Sequence, residues 1–108
     1  MTNPIKGEIS LQMGKNEYKT RLTIDSIIKI ENELDKGILA ITQKIGDGDV
    51  RVSELRKILL HALRGGGNDL SEKDVSAIIT EVGIVDACRA VAEILTASLI
   101  SPENEPEE

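Results

Sequence analysis

The chain has 108 residues, 40% of them hydrophobic, with Tyr18 as its one aromatic side chain and 19 acidic against 13 basic residues. A net charge of −6 is the wrong sign for gripping phosphates without a segregated basic face, and the lack of rings removes the stacking platforms used on single-stranded nucleic acid. The length suits one modest core, Cys88 alone cannot form an internal disulfide, and the apolar runs are too short for a bilayer span or a signal-peptide core; a soluble protein of a reducing cytoplasm is expected, with no nucleic-acid or membrane partner.

The pattern predicts an α+β chain, an N-terminal β-hairpin followed by four or five short helices, with residues 1–101 as a single globular domain. The hairpin falls within residues 6–22: Ile9, Leu11 and Met13 alternate with Glu8, Ser10 and Gln12, and Tyr18, Thr20 and Leu22 alternate with Glu17, Lys19 and Arg21. Gly14-Lys15-Asn16 supplies the turn between them. Two strands alone are marginal in water, so the hairpin must lie on helices or pair with another chain.

The helices fall within residues 24–100. Thr23 suits the N-cap of the first, whose apolar positions Ile24, Ile27, Ile28 and Leu34 run to a stop at Gly37. Ile38 to Ile45 forms a short second helix closed by Gly46-Asp47-Gly48-Asp49. Ser53 can cap a third, striped by Leu55, Ile58, Leu59, Ala62 and Leu63, with Glu54, Lys57, His61 and Arg64 opposite. Gly65-Gly66-Gly67 ends it as a flexible connector, since each glycine costs a helix interior up to ~1 kcal/mol relative to alanine. Ser71 with Asp74 forms a capping box with a shorter acid, opening a fourth helix on Val75, Ile78, Ile79 and Val82 that Gly83 stops.

The fifth helix, Ile84 to Ile100, is apolar around much of its circumference, with only Asp86, Arg89, Glu93 and Thr96 clearly polar. Such a helix is central to the core or covered by another protein. Residues 102–108 hold four glutamates, which leaves the preceding chain at −2, and read as a disordered acidic tail.

No residue pattern points to an enzyme, a metal or a cofactor. An EF-hand counted from Asp47 places Arg51 and Ile58 at ligand positions, and one counted with Gly48 at position six places Gln43 and Ile45 there. His61 has no second histidine or cysteine at ligand spacing and reads as exposed, while Cys88 sits on an apolar stripe as a small hydrophobe. The glycine triplet lacks the Gly-Lys-Ser/Thr of a phosphate loop. As a helix-turn-helix reader, the helix after the glycines would offer Glu72, Lys73, Asp74 and Glu81, with no arginine for base edges.

An ordered series of short segments carries more. Asn3-Pro4, Gly7-Glu8-Ile9, Arg21-Leu22-Thr23, Glu31-Asn32-Glu33-Leu34, Leu55-Arg56-Lys57-Ile58-Leu59, Ala62-Leu63-Arg64-Gly65-Gly66 and Leu70-Ser71-Glu72 together resemble a known family across residues 3–100. It is the family of small tail proteins of gene transfer agents and related siphophage-like prophages, described as tail assembly chaperones or tail tube proteins. The resemblance implies a gene beside that of the tape-measure protein, no catalytic residues, and a role in tail morphogenesis in the bacterial cytoplasm or in the tails of virus-like particles. Its leading form is a chaperone that covers the apolar helix stripes of the tape-measure protein, or of other tail proteins, while the tube polymerises. Leu60, Val85, Ile94 and Ile100 are the expected partner surface. The alternatives are a structural tube subunit joined through its hairpin edge and, second, a small DNA-binding regulator.

Overall fold

A computed structural model describes residues 7–99. Two antiparallel strands, β1 (Ile9–Met13) and β2 (Asn16–Thr20), precede five helices: α1 (Ile24–Leu34), α2 (Ile38–Gly46), α3 (Val52–Gly65), α4 (Glu72–Val82) and α5 (Ile84–Leu99). The α+β order expected from the periodicities is the one observed. Ile100 and the segment 102–108 lie outside the described residues.

The hairpin register pairs Met13 with Asn16, Leu11 with Tyr18 and Ile9 with Thr20, leaving Gly14-Lys15 as a two-residue loop. Gly14 takes φ 67°, as the first loop position of a type II′ turn requires. Leu11, Met13 and Thr20 are buried, and the Thr20 hydroxyl donates to the Ile9 carbonyl at 3.2 Å, so no polar atom is stranded under the sheet.

Local chemistry sets most helix ends. The Thr23 hydroxyl accepts from the Ser26 amide at 3.0 Å, and Ser71 and Asp74 exchange the two bonds of a capping box at 2.9 and 3.2 Å. Two boundaries differ from expectation. α1 stops at Leu34 because Asp35 adopts a left-handed conformation at φ 56°, and Gly37 instead precedes α2 as its N-cap. α3 starts one residue before Ser53, and the Glu54 carboxylate accepts from the Arg51 amide at 3.0 Å.

The central helix is α3, not α5. From Ile58 to Leu63 six consecutive residues are buried, because α3 is packed against β2, α1, α4 and α5 at once. Its C-terminus also settles the role of the glycines. A Cβ on Gly65 would collide with the Arg21 carbonyl, and one on Gly66 with that of Lys19. The Arg21 amide donates to Ala62 O at 2.9 Å, and Asn68 Nδ2 donates to Lys19 O at 2.8 Å. Gly65 and Gly66 are a seat for the chain at the end of β2, not a flexible connector, while Gly67 lies in open space. The core joins Leu11, Leu22, Ile30, Ile41, Leu59, Leu63, Val75, Val91 and Leu95 in one aliphatic cluster. Among the described residues no helix is long and apolar enough to cross a membrane.

Candidate functional site

Several ion pairs among the described residues tie helices together. His61, expected at the surface, is buried on α3, with Nε2 3.1 Å from Glu33 Oε1 of α1. Lys57 reaches Glu72 of α4 at 2.9 Å and Glu33 at 3.7 Å. The hydrogen bond to Glu72 raises the Lys57 pKa and the same bond lowers that of Glu72. The histidine escaped sequence reasoning because a polar residue on a helix surrounded by others is read as facing water; its partner lies 28 positions away. Asp49 of the acidic turn meets Lys44 at 3.4 Å, and Cys88 is half-buried against the core. Among the described residues, no three His, Cys, Asp or Glu converge as metal ligands would.

The feature with binding character lies where α3, α4 and α5 meet. Gly83, at φ 92°, is the whole connection between α4 and α5: its amide donates to Ile79 O at 2.8 Å and its carbonyl accepts from Ala87 at 2.9 Å. One residue thus caps both helices and turns a sharp corner, which leaves the first turn of α5 outside the core. Val52 and Arg56 of α3, Ser76, Ile79 and Thr80 of α4 and Ile84 of α5 enclose an open groove of about 570 Å³. Its surface is mainly apolar. Val52 is 44% and Ile84 55% exposed, and the adjacent Val85, at 78%, is the most exposed large apolar side chain among the described residues.

Arg56 places the charge in this groove. Its Nη1 donates to Ser76 Oγ at 3.2 Å and its Nη2 lies 3.8 Å from Glu72, while Nε is buried with no partner among the described residues. A buried donor left open costs roughly 1–3 kcal/mol.

Of the expected partner surface, only Val85 stands clear of the core. Leu60 is 4% and Ile94 0% exposed, because α3 and α5 are covered on the faces that carry them, and Ile100 lies outside the described residues. Leu60 and Ile94 therefore hold the fold and offer no contact surface. The apolar side chains exposed beside Val85 are instead Val52 and Ile84. Both occupy first turns, where an apolar stripe continues past the last neighbour that could cover it, and a stripe reaching that far toward a helix start is the signal the sequence carried.

The model of one family, described as phage tail tube protein, GTA-gp10, matches residues 6–100. Neither a curated protein nor a solved structure matches the chain. The family match spans the hairpin and all five helices, so the chain belongs to the family of the phage tail tube protein, GTA-gp10.

Proposed function

We propose that this protein is a tail assembly chaperone that binds the tape-measure protein during tube assembly, with the groove between α3 and α4 as the seat for a partner helix. Its family is structural rather than enzymatic and its place is in tail morphogenesis. The observation that carries the finer reading is the open apolar groove rimmed by Val52 and Ile84 and flanked by Val85. An amphipathic helix laid there would bury anchors at i, i+3 and i+4 spacing, and the part-exposed Arg56 guanidinium would meet an acidic side chain on it. Apolar rims of this kind on a small acidic protein suit a transient partner that must stay in solution before and after the contact.

A permanent tube subunit is the second reading, favoured by the family's description. The sheet weighs against it: two five-residue strands are short for a wall made by continuous strand pairing. The test is the copy number of the tagged protein in lysate and in purified particles after induction. Abundance in lysate in complex with the tape-measure protein, and absence from particles, is the expected result. Many copies per particle would overturn the chaperone and establish the subunit.

A further inference from the structure

The two edges of the hairpin are treated differently. With a two-residue loop, Met13 and Asn16 exchange both backbone bonds, so bonded pairs recur at Leu11 with Tyr18 and Ile9 with Thr20, and the groups between them point outward. On β2 the C-terminal end of that edge is covered, since Lys19 O accepts from Asn68 and the chain beyond it bonds to α3 through Arg21. On β1 the outward groups belong to Ser10 and Gln12, whose backbone amides and carbonyls have no partner among the described residues. A trench of about 630 Å³ runs along this edge. No residue of β2 lines it, and its far wall carries Glu81 of α4 with Asp86, Arg89 and Glu93 of α5.

The wall is acidic. The Arg89 guanidinium is taken by Asp86 at 2.6 Å, and among the described residues no cation pairs with Glu81 or Glu93. Gly14 lets the Glu81 carboxylate lie against the hairpin loop, in space a Cβ would occupy. Half-buried Val82 and buried Ala90 complete the lining between the charges.

We propose that this trench takes an extended segment of another protein, bearing lysine or arginine at alternate positions, as a third strand on β1. The backbone of the segment bonds to Ser10 and Gln12, and its cationic side chains, all on the strand face turned to the helices, lay their methylene stems over Val82 and Ala90 and reach Glu81 and Glu93. Charge complementarity selects that occupant. The glutamates beyond Pro102 carry the sign of the wall and are repelled by it. A second copy pairing through its own β1 would bring up an equally acidic wall. The site is separate from the apolar groove and applies equally to an assembly factor and to a tube subunit.

The probe is a blocked nine-residue peptide alternating lysine and valine, titrated into the full chain, with a peptide of glutamate and valine as control. Amide exchange at Ser10 and Gln12, fast in the free chain, slows at least tenfold at saturation with the lysine peptide only. Gln12→Pro removes one outward donor at a position where an edge strand tolerates proline, and raises the peptide Kd at least tenfold. The double variant Glu81→Lys, Glu93→Lys does the same without touching the sheet, and keeps the test open if Gln12→Pro fails to fold. Ile84→Glu leaves this affinity unchanged, which separates the trench from the groove. Unchanged exchange at Ser10 and Gln12, or equal binding of the glutamate peptide, overturns the proposal. So does protection of those amides in the free chain that is released by dilution, which assigns the trench to a second copy, or by deletion of residues 1–6, which assigns it to the chain itself.

Discussion

Gly65→Ala separates helix propensity from tertiary packing, because the two predict opposite signs. Gly65 is the last residue of α3, and propensity alone makes alanine better there by up to ~1 kcal/mol. The structure reverses this: the new Cβ would collide with the Arg21 carbonyl, a backbone atom with little room to move. Arg21 is held by its amide bond to Ala62 at 2.9 Å, and Lys19 by Asn68 at 2.8 Å, so relief requires β2 to lift off α3. Overpacking of this kind costs about 1–3 kcal/mol, and each weakened hydrogen bond adds roughly 0.5–1.5 kcal/mol. The expected net loss is about 2–4 kcal/mol, a large share of the ~5–15 kcal/mol of a typical domain. Gly46→Ala is the control, since nothing lies within 4 Å of its Cβ position at the end of α2. Urea unfolding followed by circular dichroism reads both: the midpoint falls sharply for Gly65→Ala, while Gly46→Ala leaves it unchanged or slightly raised. A Gly65→Ala midpoint at or above that of the parent would refute the docking of β2 on the glycines.

Charging the groove and charging the core have opposite outcomes. Ile84→Glu and Val85→Glu keep stability within about 0.5 kcal/mol of the parent and abolish capture of the tape-measure protein, whereas Leu60→Glu and Ile94→Glu unfold the chain, as thermal melts beside a pull-down will register. Ile94→Ala, which empties a fully buried site, lowers stability by about 2–5 kcal/mol in denaturant titration. Loss of the α4 cap in Ser71→Ala costs about 1 kcal/mol by the same measurement. The carboxyls of Glu54 and Asp74 sit below their ordinary range, chiefly because the backbone amides of Arg51 and Ser71 donate to their ionised forms. In acid the unfolded chain therefore binds these protons first, so their stabilisation is complete above about pH 5 and is lost as pH falls through the depressed values. Glu54→Gln flattens that acid limb in a pH series of urea midpoints, and an unchanged slope would remove Glu54 from the account.

The sequence by itself determined the elements whose causes are local. Alternation of Ile9, Leu11 and Met13 with polar neighbours makes a strand with one buried face, Gly14 permits the positive φ of the loop, and Thr23, Ser71 and Gly83 mark ends of helices through bonds made within a turn or so of the chain. Periodicity identifies an apolar face but does not count the neighbours available to cover it, and only the tertiary structure decided that. α3, with four other elements packed around it, buries Leu60 and His61 off its apolar stripe, while Ile84, on the predicted stripe of α5, lies open because the corner at Gly83 leaves nothing above it. The glycines at 65 and 66 show the same division: their effect on a helix is intrinsic to the residue, but the backbone carbonyls they admit belong to residues more than forty positions earlier, brought there by the fold.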